Sequence, residues 1–140
     1  MNVEADMTKN EHTVLTARKM LEEVWNLRRL DALPELCQPD ARLHSPEGHI
    51  EGRDAMRDAF IKPVIEAFPD IIHQIDELIV DGNRVAMRFR GSGTHQHEFN
   101  GKAATGKRLD YQGITIFHMK DGKVSDVWNY SSWSDAFAAL

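Results

Sequence analysis

Cysteine is nearly missing from this chain of 140 residues, where Cys37 stands alone. One thiol excludes an intrachain disulfide and any metal site built on several cysteines, and the residue reads as a small buried apolar group. Long apolar runs are missing too, none approaching the ~20 residues that cross a bilayer, so no membrane partner is expected. The opening stretch "MNVEADMTKNEH" has no basic start followed by an apolar block. It does not read as a secretory signal, and a cytoplasmic location is the default expectation. Nor is there a dense basic block: 17 Lys and Arg stand against 22 Asp and Glu, for a net charge of -5. That balance disfavours attraction to phosphate backbones, so nucleic acid is not an expected partner. No Gly-x-Ser-x-Gly elbow marks a hydrolase nucleophile, and no internal repeat points to a solenoid.

What is present fits one soluble globular domain, given a chain of this length with 41% hydrophobic and 28% charged residues. Residues 1–9 are polar and aperiodic and read as a loose tail, leaving 10–140 as the domain. From Asn10 to Arg28 the residues Val14, Ala17, Leu21, Val24 and Trp25 follow the three-and-four spacing of one helical face. "LDALPELCQPD" reads as a short second helix stopped before Pro39. "EGRDAMRDAFIKPVIEAFPD" reads as a third, bounded by Gly52 and Pro69 and bent at Pro63.

At Ile71 the pattern changes to runs rich in Val, Ile, Phe and Thr. "IIHQIDELIV" meets "NRVAMRFRGSGTHQHEF" across Asp81-Gly82, and "RLDYQGITIFHM" meets "KVSDVWNYSSW" across Asp121-Gly122. Both dipeptides are hairpin signals, because Asp and Gly tolerate positive φ. With a short strand near "ARLH", the order is helix, helix, strand, helix and four long antiparallel strands. This is an α+β plan with helices on one face of a curved sheet, an arrangement that leaves a conical cavity.

The order and spacing of "FPD" at 68–70, "GTH" at 93–95, "ATGK" at 104–107 and "DGKV" at 121–124, followed by Trp128, resembles the SnoaL-like polyketide cyclases of the nuclear transport factor 2-like superfamily. The resemblance covers residues 10–140. It implies a cone-shaped α+β barrel, a homodimer through the outer sheet face and an apolar internal pocket for a small carbonyl compound. It further implies ring closure by enolate (aldol) chemistry without metal or organic cofactor, with an aspartate on the last strand as acid/base. That aspartate falls at Asn129 here, and a histidine that some members carry on the preceding strand falls at Thr115. Both departures bear on the reaction more than on the fold.

An amide has no basic form, so Asn129 is limited to hydrogen bonding, for example to an enolate oxygen. A replacement base is then a histidine, whose ordinary pKa suits proton transfer near neutrality. His44 ends the first short strand, a position that in this superfamily often points into the pocket; a surface or loop-anchoring role is the alternative. His73 shares a strand face with Ile71 and Ile75, and packing in the core is its alternative role. Alternation puts Val127 and Ser125 on the face of Asn129, with Asp126, Trp128 and Tyr130 on the other, outer face. Tyr111, Gly113, Thr115 and Phe117 share one face of the neighbouring strand, and the family register turns it inward. Trp25, the largest ring on the first helix, is expected beside the cavity. His95 and His97 read as a His-x-His pair sharing a strand face, a weak metal signal with no third ligand fixed by sequence. Arg88 and Arg90 share a strand face, where an outward, salt-bridged pair is the first reading and a clamp on a carboxylate the alternative. Two function classes compete: a cofactor-independent cyclase, isomerase or lyase, and a non-catalytic module that binds a small molecule or a protein.

Overall fold

The computed structural model describes residues 7–140. Thr8 opens the first helix, its hydroxyl accepting the Glu11 N–H at 3.1 Å, a capping arrangement signalled by the sequence Thr-x-x-Glu. The expected tail thus falls mostly on residues outside the described part, while Thr8 and Lys9 belong to the helix. Helix α1 (Lys9–Lys19) continues as a π-helical segment, Met20–Asn26. Thr13, Ala17, Met20, Leu21, Val24 and Trp25 are buried along this stretch, on the stripe the spacing predicts. The short α2 (Leu33–Leu36) follows.

The third helical region begins after Gly52, at φ 100°. It consists of α3 (Arg53–Met56), a π-helical segment (Arg57–Ile61) and α4 (Lys62–Ala67), with Pro63 in the first turn of α4. The hydrogen-bond pattern changes just before Pro63, whose missing N–H is tolerated in a first turn.

Six strands form one sheet in the order β2-β1-β6-β5-β4-β3. They are β1 (Cys37–Ser45), β2 (Gly48–Glu51), β3 (Ile72–Asp81), β4 (Arg84–Thr94), β5 (Arg108–Lys120) and β6 (Lys123–Ser131). Neighbours are antiparallel except β1 and β6, which run parallel. The architecture is therefore the expected α+β plan with N-terminal helices on a curved sheet. Three details differ. Strand β1 starts at Cys37 and includes Pro39, because its pairing with β6 is interrupted between Cys37 and Arg42, where no ladder N–H is demanded of a proline. A short hairpin partner, β2, was not anticipated. The chain also closes with helix α5 (Trp133–Ala138) in place of the last residues of the expected strand.

The two Asp-Gly turns behave differently. Asp121 and Gly122 form the β5–β6 loop, both at positive φ. In the first hairpin Asp81 pairs with Arg84, so the loop is Gly82-Asn83. On β6, Met119 pairs with Val124 and His118 with Asp126. Ser125 is thus an extra residue that breaks the simple alternation and removes it from the expected face with Asn129. Val124 and Val127, three apart, are both buried in consequence.

Candidate active site

Three neighbouring strands bring one polar pair together in the interior. His73 on β3 lies opposite Gly91 on β4, and Gly91 opposite Tyr111 on β5. Glycine in the middle of this row leaves room for the phenol, since a Cβ built there would collide with the Tyr111 ring. The phenol lies across the missing side chain, and its hydroxyl pairs with Nε2 of His73.

Asn26, at the end of the π-helical segment, fixes the strand at this point. Its Oδ1 accepts the His73 N–H at 2.7 Å and its Nδ2 donates to the His73 carbonyl at 2.8 Å. Edge-on rings of Trp25 at 5.1 Å and Phe89 at 5.6 Å flank the imidazole. Trp133 from α5 packs edge-on against Tyr111 at 5.0 Å. An irregular helix, three strands and the C-terminal helix therefore converge on two titratable side chains.

Burial governs their protonation. Desolvation, assisted by the nearby Arg28 guanidinium, lowers the His73 pKa from 6.5 to about 4. Burial likewise pushes the Tyr111 phenol up. At neutral pH the imidazole is uncharged and the phenol keeps its proton. Nδ1 of His73 is buried with no hydrogen-bond partner, an exception to the rule that buried polar atoms are paired. Arg28 is held in place by donating to the carbonyls of Trp25 and Pro69, the latter at 2.6 Å.

An open cavity of about 780 Å³ is lined by the buried His73 and Tyr111, by Asn26 and Gly91, and by exposed charged residues that include Arg18, Glu22, Arg90, Arg108 and Asp110. Its lining mixes apolar and polar groups. Arg90 is occupied by Asp76, at 2.8 and 3.0 Å, and Arg88 by Glu77 at 3.2 Å, the outward pairs expected from the sequence.

The other candidates fall elsewhere. Asn129 faces Thr115 across β6 and β5, and the Thr115 hydroxyl donates to its Oδ1 at 3.3 Å. Thr115 is buried at 5% exposure and Phe117 at 2%; none of the three lines the cavity, and Trp25, expected beside it, packs against His73 without lining it. Tyr111, Thr115 and Phe117 share the inward face, as expected. His44 does not point inward. Leu43 takes the buried position on β1, which turns His44 to the outer face, where it stacks on Trp128 at 4.8 Å and contacts Asp126 Oδ1 at 3.0 Å. Alternation of side chains separates it from His73 by the thickness of the sheet.

His95 and His97 do not share a strand face, because β4 ends at Thr94. His95 is fully buried and stacks on Phe68 at 5.2 Å, while His97 is exposed. The surroundings of His95 explain the motifs that carry the family resemblance. Thr94 donates to Asp70 through its N–H at 2.7 Å and its hydroxyl at 2.8 Å. The Thr105 N–H donates to His95 Nδ1 at 3.3 Å, and the Gly106 N–H to the His95 carbonyl at 2.8 Å. "FPD", "GTH" and "ATGK" are thus one structural knot. Among the described residues no group of three or more His, Cys, Asp or Glu side chains is arranged to hold a metal ion, and no helix is long and apolar enough to cross a membrane.

Sequence reasoning overlooked Asn26 and Gly91. Counting from a Gly82-Asn83 loop would set His73 opposite Ser92; the row His73, Gly91, Tyr111 depends on a register shift between Ile75 and Glu77 that no residue pattern signals.

A curved six-stranded sheet with N-terminal helices defines the class of fold, and the family follows from direct comparison. The chain belongs to the SnoaL-like polyketide cyclase family, whose profile matches residues 15–140. Among curated proteins none matches. Solved structures agree on the fold. A candidate SnoaL-like polyketide cyclase from Jannaschia sp. CCS1 is 22% identical with a TM-score of 0.87, over 96% of this chain and 94% of that one. IdmH from Streptomyces antibioticus, a candidate polyketide cyclase, is 25% identical with a TM-score of 0.74, over 90% and 98% of the two chains. AclR from Streptomyces galilaeus, a candidate hydroxylase, is 23% identical with a TM-score of 0.80, over 93% and 85%. The fold is thus common to proteins assigned different chemistries.

Proposed function

We propose that the protein is an enzyme of enolate chemistry, a cyclase, isomerase or lyase acting on a small carbonyl compound, and that His73 and Tyr111 perform the proton transfers. The observation that carries this reading is the buried, uncharged His73, hydrogen-bonded to Tyr111 through Nε2 and unpartnered at Nδ1, beside an open cavity of about 780 Å³. A neutral imidazole takes a proton from carbon next to a carbonyl. The phenol donates to the oxygen on which the enolate charge develops. With Nε2–H donating to the Tyr111 oxygen, Nδ1 holds the lone pair and the hydroxyl hydrogen is free for substrate. A proton gained at Nδ1 and one passed from Nε2 through the phenol leave the imidazole uncharged at the end of the step. That route suits a site where burial disfavours the imidazolium.

Asn129, paired with Thr115 away from the cavity lining, takes no part in this scheme. A binding module descended from an enzyme is the second reading, favoured by the amide at the position where the family's acid/base is expected. Solvent-deuterium exchange into a panel of 1,3-dicarbonyl compounds separates the two. The catalytic reading predicts exchange by the wild type, a loss of about a hundredfold or more in His73→Gln, and no loss in His44→Gln. Exchange that is absent in the wild type and appears in Asn129→Asp favours the binding module.

We also propose a homodimer through the outer sheet face. Ile79, Ala86, Ile116 and Trp128 form one row across β3, β4, β5 and β6. Beside it Ile114 and Tyr130 face each other at 47% and 53% exposure. Apolar surface in such a continuous stripe favours association.

A further inference from the structure

The row of outward side chains ends at the β1–β2 hairpin, where His44 lies directly opposite His49. Their Nδ1 atoms are 3.2 Å apart. Each ring presents its other nitrogen to a carboxylate: His44 Nε2 is 3.0 Å from Asp126 Oδ1, and His49 Nε2 is 3.2 Å from Glu51 Oε1. Asp126 is also engaged by Arg42 at 3.1 Å and is only 14% exposed, whereas His49 is 47% exposed and open to solvent.

An ionised carboxylate only accepts, so both Nε2 atoms carry hydrogen. In two neutral rings both Nδ1 atoms then hold lone pairs, and these face each other at 3.2 Å. The alternative, with Nδ1–H of one ring donating to the other, either makes the pair a cation or leaves one Nε2 lone pair against a carboxylate. With both Nε2 atoms turned to carboxylates, the gap between the rings is lined by two facing lone pairs. The separation also fits a metal. Two nitrogens roughly 2.0 to 2.1 Å from a tetrahedral ion stand roughly 3.3 Å apart. Histidine ligands of metals characteristically donate their second N–H to a carboxylate, which fixes the tautomer and raises the basicity of the coordinating nitrogen. Asp126 and Glu51 stand in those two positions.

We propose that His44 and His49 form a surface site for a borderline divalent transition-metal ion, such as Zn2+ or Cu2+, bound through both Nδ1 atoms with water completing the coordination. Imidazole pairs suit these ions, and the order of affinity places Cu2+ above Zn2+. The site lies on the opposite face of the sheet from His73 and Tyr111 and is independent of the catalytic proposal.

Calorimetric titration of the full, untagged chain with Zn2+ and Cu2+ at neutral pH tests it. The expected result is one ion per chain, bound at least tenfold more weakly by His49→Gln and by His44→Gln. Asp126→Asn weakens binding about tenfold through loss of the supporting hydrogen bond. His118→Gln, across Trp128 from His44, leaves it unchanged. The electron paramagnetic resonance spectrum of the Cu2+ complex shows coupling to two imidazole nitrogens, reduced to one in His49→Gln. His49 is exposed on a hairpin, so its replacement tests the site without dependence on the core. Undiminished affinity in folded His49→Gln overturns the proposal. Absence of saturable binding by the wild type overturns it equally.

Discussion

Acidifying the solution tests the environment assigned to His73. Its pKa in the folded protein is about 4, against an ordinary 6.5. Because the folded value is the lower one, the unfolded chain binds the proton more readily between these two values. The contribution to stability is therefore fully present above pH 6.5. It is lost progressively as pH falls, and the loss levels off near pH 4, where the native imidazole itself becomes charged. The gap corresponds to roughly 3 kcal/mol, and no large discount for solvent is due, since the side chain is only 9% exposed. The carboxylates of Asp70, Asp76 and Asp126, held below their ordinary range, act at lower pH. Urea unfolding at fixed protein concentration, from pH 7.5 to 4.5, measures the effect in wild type and His73→Gln. The variant carries a pH-independent cost from lost packing, so the readout is the slope. Wild type should lose roughly 2 to 3 kcal/mol more than the variant over that interval. Parallel curves would refute the reasoning, since they would mean that His73 titrates alike in the folded and unfolded states.

Three further outcomes are expected. Gly91→Ala forces its Cβ against the Tyr111 ring, so stability should fall by about 1 to 3 kcal/mol with loss of dicarbonyl exchange, both measured on the purified variant. Size exclusion with light scattering at micromolar concentration should give a dimer for the wild type and a monomer for Tyr130→Asp; a wild-type mass near 16.0 kDa would contradict the outer-face assembly. Because the Trp25 ring lies 5.1 Å from that of His73, apolar aromatic ligands should quench tryptophan fluorescence, and Trp25→Phe should abolish most of that quenching.

Much of the fold was readable because local chemistry and tertiary packing agree. The stripe that includes Ala17, Leu21, Val24 and Trp25 is a helical face on the core, and Asp121-Gly122 is a hairpin loop at positive φ. Disagreements arose where long-range pairing decided the outcome. Strand β1 absorbs Pro39 because it lies in an interruption of the parallel ladder with β6, a partner more than eighty residues away. Ser125 is displaced by a bulge that no alternation of residue types announces. The site was legible in part for the same reason. His73, Tyr111 and Trp25 read as inward groups, and they meet. His44 reads as inward only from superfamily geometry, whereas burial of its neighbour Leu43 turns it outward. Asn26 carries no motif of its own, since its role depends on where a π-helical segment ends against β3. The motifs that identify the family say least about chemistry, because "FPD", "GTH" and "ATGK" bind one another around His95.

The pH dependence of dicarbonyl exchange tests the central claim, that His73 is the base and Tyr111 the acid, most directly. Exchange per active site should be flat through neutrality and decline only as pH approaches about 4, the value to which burial depresses His73. Tyr111→Phe should lower the plateau by about a hundredfold or more. A limb near the ordinary histidine value that disappears in His44→Gln, with Tyr111→Phe as active as the wild type, would contradict the account.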